Sequence, residues 1–165
     1  MNGGNSKSLL PLVEILISIG IFAIAVILTL QLFLLAKFLG NKTSDTAKAI
    51  FEVQNIAETI KTMRTNTEME NYIKTELNGL SVDANYYPVY YNEKWDRVDN
   101  VDEAVYNLIV IYEIDDTYSS GNLYKFKLDL YKTEPYPFID DKKVEKDENY
   151  VPVLVSIEAN KFILN

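Results

Sequence analysis

Between Ile15 and Ala36 the chain runs for 22 residues without a formal charge, ILISIGIFAIAVILTLQLFLLA, interrupted only by Ser18, Gly20, Thr29 and Gln31. At about 1.5 Å per residue a helix of that length covers roughly 33 Å, enough for a hydrocarbon core of about 30 Å. The run predicts a transmembrane helix over 10–39. A cleaved secretory signal is the competing reading, but its apolar core is shorter, about 7–15 residues, and a small-residue cut site follows it. The exit here is KFLGNKTSD, which offers no such site.

Glu14 stands at the head of this run. Leu9, Leu10, Pro11, Leu12 and Val13 precede it, and if these apolar residues enter the bilayer, Glu14 enters with them. A lone carboxylate there costs roughly 2–3 kcal/mol and calls for a partner, which makes it a functional candidate. If Ile15–Ala36 fills the core alone, Glu14 lies at the interface instead. There the helix macrodipole favours it by about 0.3–1 kcal/mol.

Charge divides unevenly along the chain. Through residue 42 there are Lys7, Lys37 and Lys42 against Glu14, a net of +2; the whole chain is −8, so residues 43–165 carry −10. An acidic body repels phosphate backbones, so direct nucleic-acid binding is not expected. Lys7 precedes the helix while Lys37, Lys42 and Lys48 follow it. Lysine count alone would leave the body on the cytoplasmic side. The 165 residues leave room for one domain besides the helix.

Beyond Gly40 an amphipathic helical pattern resumes in TSDTAKAIFEVQNIAETIKTM. Ile50, Val53, Ala57 and Ile60 follow a 3-4-3 spacing beside Phe51, Ile56 and Met63, opposite Lys48, Glu52, Glu58 and Lys61. Either Ser44 or Asp45 caps a new start, or the helix continues with Gly40 as a soft point. After TEMENYIKTELNG, a polar helix or loop, four strand-like runs follow: 86–91, 104–114, 122–133 and 151–164. Tyr124, Phe126, Leu128 and Leu130 alternate with Leu123, Lys125, Lys127 and Asp129, apolar against mostly charged. DDTYSSGN reads as a hairpin connection with Ser120, Gly121 and Asn122 as turn residues. YPFIDDKKVEKDENY (136–150) reads as an exposed charged loop. The fold class expected is α+β: a long N-terminal helix packed on an antiparallel sheet of about four strands.

Little points to catalysis. The chain has no Cys and no His, which removes thiol nucleophiles, imidazole bases and zinc sites of the Cys/His type. No phosphate loop or nucleophile elbow is present. Asp96, Asp99, Asp102 and Glu103 are spaced by three without a Gly, unlike a calcium loop. These acids, Asp115–Asp116 and Asp140–Asp141 read as solvated loops. Twelve tyrosines fit strands with about half their rings buried, or else an aromatic contact surface. No cofactor, metal or enzymatic activity is expected.

The stretch KSLLPLVEILISIGIFAI resembles the N-terminal motif of type IV pilins and pseudopilins, with LVEILISIGIF the closest part. In that family a peptidase removes a short leader, and the mature chain begins with an N-methylated residue and carries Glu at its fifth position. Aligned on Glu14, the resemblance makes 1–9 the leader, Leu9 its last residue, Leu10 the first mature residue and 40–165 the pilin-like domain. Leu9 stands where the family has Gly, and Pro11 where it has Thr or Ser, so both a cleaved and an uncleaved chain are carried forward. The resemblance implies a minor pilin or pseudopilin of a type IV pilus, type II secretion-like or DNA-uptake machine. It also implies a single pass through the cytoplasmic membrane and an extracytoplasmic body, the opposite of the lysine count. The implied partners are other pilin-like subunits, membrane assembly proteins and a prepilin peptidase, with Glu14 as the assembly residue. A single-pass anchored binding protein that never polymerises is the other reading.

Overall fold

The computed structural model describes residues 6–77, 79, 85–147 and 149–164, without the side chains of 6–10 and 164. A single helix, α1, runs Ser6–Thr62. Neither Gly40 nor the Ser44–Asp45 pair interrupts it, so the pattern beyond Gly40 continues one helix. The chain divides into two compact units at Gly40/Asn41.

In the second unit α1 packs on a five-stranded antiparallel sheet. Its strands are β1 (Tyr86–Tyr91), β2 (Arg97–Val98), β3 (Tyr106–Asp115), β4 (Gly121–Lys132) and β5 (Val153–Leu164). They lie in the order β2-β1-β3-β4-β5. The four expected strands are joined by β2, two residues from the acidic stretch, which pairs Val98 with Tyr90 and Arg97 with Tyr91. The connection to β2 is closed by Asn92, whose Oδ1 accepts the N–H groups of Lys94 (2.9 Å) and Asp96 (3.0 Å). That turn holds Trp95 at φ 69°, stacked on the Tyr106 ring at 4.1 Å.

The alternation in β4 is as expected on its inner face. Tyr124, Phe126, Leu128 and Leu130 are buried against α1 together with Tyr106, Leu108, Val110 and Tyr112 of β3 and Tyr87, Val89 and Tyr91 of β1. Six of the twelve tyrosines are buried, which favours rings as core filling, each worth a large apolar area. From α1 the core takes Ala49, Val53, Ile56, Ala57 and Ile60. This stripe is rotated from the expected one: Ile50 is 40% and Phe51 64% exposed. The β3–β4 turn also differs. Gly121 is buried and opens β4, its N–H donating to the Tyr118 carbonyl at 3.4 Å, so the turn residues precede it.

The stretch after α1 folds into α2 (Asn66–Asn71) and a π-helical turn, Tyr72–Glu76, which bury Met69 and Ile73, with Leu77 buried just beyond. Thr65 caps α2 by accepting the Glu68 N–H, the usual way of satisfying an orphan helix donor. Between β4 and β5 lies α3 (Asp141–Val144). The expectation of a wholly exposed loop over 136–150 fails here, because Tyr136 and Asp140 are buried.

Candidate functional site

Leucine, isoleucine and valine supply 13 of the 22 positions of the charge-free run 15–36. The two hydroxyls turn inward: Ser18 donates to the Glu14 carbonyl and Thr29 to the Ala25 carbonyl, each at 2.8 Å. Such bonds let a helix carry Ser and Thr through an apolar medium. Pro11 lies in the second turn, where its missing N–H removes one rung.

Every residue from Pro11 to Phe33 is exposed. Leu16, Ile17, Ile19, Ile21, Phe22 and Ile24 are all more than half exposed, although together they are distributed around the whole helix axis. A helix apolar all round belongs in a protein core or a bilayer, and no described residue of this chain covers it. Among the described residues α1 is the one helix long and apolar enough to cross a membrane.

Glu14 belongs to this uncovered surface. It is exposed, with Ile17, Ser18 and Ile21 the next residues along its face, and no described residue forms an ion pair with it. The Leu9 and Leu10 backbones continue α1, while their side chains, and residues 1–5 of the leader-like segment, lie outside the described residues.

A second polar site, which the sequence did not signal as such, lies in the other unit. Lys42 pairs with Asp140 at 3.0 Å, and Lys132 pairs with Asp45 at 2.9 Å. The Tyr136 hydroxyl donates to Asp45 at 2.6 Å, and the Tyr136 N–H donates to Asp140 at 3.2 Å. Asp140, expected in solvent, is fully buried. Burial raises its carboxyl, and the hydrogen bonds from Lys42 and the Tyr136 N–H outweigh this, leaving it below the usual carboxylate range. Asp45 follows the same pattern, burial opposed by Tyr136 and Lys132. Tyr136 is pushed upward by burial and by Asp45, so it stays a donor. One signal was present: positions 42, 45, 49, 53, 56 and 60 form a single helical stripe, so Lys42 and Asp45 extend the core-facing row.

Among the described residues no three acidic side chains gather where a metal could bind. No protein-family model, no curated protein and no solved structure matches this chain.

Proposed function

We propose that this chain is a minor pilin-like or pseudopilin-like subunit that joins a filament or secretion-type machine through its N-terminal helix. One observation carries the reading: an apolar helix with no covered face holds a lone carboxylate, Glu14, in its first turns and continues into the helix that packs on an antiparallel sheet. In a bilayer or filament core that carboxylate is stable when a neighbouring subunit supplies a cation or hydrogen-bond donor. The protein then holds no cofactor and performs no chemistry; its activity is assembly. The body lies outside the cytoplasm, and prepilin peptidase acts between Leu9 and Leu10 if the leader is removed.

The test is co-purification from the native host with the other pilin-like subunits. Glu14→Ala abolishes it while the protein still fractionates with membranes; unchanged co-purification would refute the proposal in favour of a non-polymerising anchored protein. The mass of the N-terminal peptide separates a chain beginning at methylated Leu10 from one that keeps its leader.

A further inference from the structure

We propose that Gln31 is the contact point of a parallel, two-fold pairing between the membrane helices of two copies of this chain, each Gln31 amide hydrogen-bonding the other. This rests on the reading that α1 crosses the bilayer.

The polar side chains of the charge-free run are not equally provided for. Ser18 and Thr29 each donate to the carbonyl four residues back. Gln31 is exposed, and no described residue hydrogen-bonds its amide. That amide has two donors and an oxygen with two acceptor sites, and hydrocarbon satisfies none of them.

Depth closes the other way out. Gln31 lies five residues before Ala36, roughly 7–8 Å inside the end of the run at about 1.5 Å per residue. A helical side chain leans toward the N-terminus, so this one leans toward the middle of the bilayer and away from the nearer headgroups. Its partner therefore comes from another helix at the same depth. A second copy inserted in the same direction always supplies one. The amide is also self-complementary: across a two-fold axis each Nε2 donates to the other Oε1.

Ile17, Ile21, Ile24, Leu28, Gln31 and Leu35 recur at 4-3-4-3-4 spacing, and the five apolar members are each 42% or more exposed. In a run apolar throughout, spacing alone does not single out a face; the unpartnered amide does. Counted from it, Ile17 and Ile24 take the a positions and Leu28 and Leu35 the d positions of a two-stranded pair. A single polar residue at an a position then fixes register and orientation. Membrane helices use the same left-handed crossing. Glu14, three residues before Ile17, would meet its own copy as a like charge, so the seam ends at Ile17 and Glu14 keeps a separate partner.

The chain has no cysteine, so single cysteines report the face directly. Full-length Leu28→Cys and Leu30→Cys proteins, 55% and 58% exposed at those positions, would be placed in phosphatidylcholine vesicles at rising lipid-to-protein ratios and oxidised. Leu28→Cys is expected to form a disulfide dimer and Leu30→Cys, on another face, to stay monomeric. Adding Gln31→Leu should weaken the Leu28→Cys dimer about tenfold, the scale of an interhelical amide pair. Gln31→Asn keeps an amide and should keep most of the dimer, and Glu14→Ala should leave it intact. Equal crosslinking at the two positions, indifference to Gln31→Leu, or loss of the dimer in Glu14→Ala would each overturn the pairing. A chain that floats with the vesicles but gives no Leu28→Cys dimer defeats the pairing alone. A chain that does not float with them defeats the membrane reading and the pairing together.

Discussion

Replacing Lys42 with Met should destabilise the body more than replacing its partner Asp140 with Asn, although each change breaks the same ion pair. Removing one member of a buried pair leaves the other charged and unsolvated, at a cost of about 3–5 kcal/mol. The members are buried unequally: the Lys42 side chain is 28% exposed and the Asp140 side chain 1%. In Asp140→Asn the lysine can turn to water and the Asn oxygen can still accept the Tyr136 N–H, so the loss is about 1–2 kcal/mol. In Lys42→Met the carboxylate stays buried with Lys143 at 3.7 Å and the Tyr136 N–H as its support. That places the loss at the lower end of the range, about 3 kcal/mol.

The two variants also separate with pH. In the native protein Asp140 titrates below its unfolded value of about 3.9, so its stabilisation is present above that pH and lost as pH falls. In Lys42→Met burial pushes the carboxyl upward, and protonation relieves the penalty, so the deficit against wild type narrows from pH 7 toward 4. The assay is urea unfolding of the full chain in detergent micelles. The single Trp, Trp95, reports through its stacking on Tyr106. A Lys42→Met loss smaller than that of Asp140→Asn, or a deficit independent of pH, would refute a buried, Lys42-dependent Asp140.

Three shorter predictions follow from other positions. A Cβ at Gly79 would lie 2.8 Å from the Ile73 carbonyl oxygen, so Gly79→Ala should lower stability by about 1–3 kcal/mol in the same assay; an unchanged midpoint would refute the close approach. Asp45, Asp129 and Asp140 all titrate below their ordinary value. Native stability should therefore fall steeply as pH drops below about 4, and Asp45→Asn should make the fall shallower. Phe138→Gly should leave the unfolding midpoint within about 1 kcal/mol of wild type, because relief of the left-handed strain at φ 62° offsets the flexibility that glycine adds to the unfolded chain.

What the sequence disclosed follows the range of the interactions. The membrane-length helix and the four longer strands rest on local composition and period, and both signals survive in a single chain. β2 has two residues and therefore no period to detect. The phase of the α1 stripe slipped because Ile50 and Phe51 look like core residues while Ala49 does not, and packing against the sheet decides in favour of the small one. The Lys42–Asp140 and Asp45–Tyr136 contacts join residues 98 and 91 apart. Nothing within a window of local sequence links them, so Asp140 read as one more solvated acid. Glu14 was legible because a carboxylate in an apolar run is anomalous by itself.

The central claim is that α1 meets other pilin-like helices in the membrane and that Glu14 holds the contact. A photo-crosslinking residue in place of Phe22, a 70% exposed position on that helix, tests it in membranes of the native host. The account predicts a protein adduct whose mass-spectrometric identity is another subunit with an apolar N-terminal helix and an early Glu, lost when Glu14→Ala is added. Adducts to lipid alone, or a protein adduct that persists in Glu14→Ala, would contradict it.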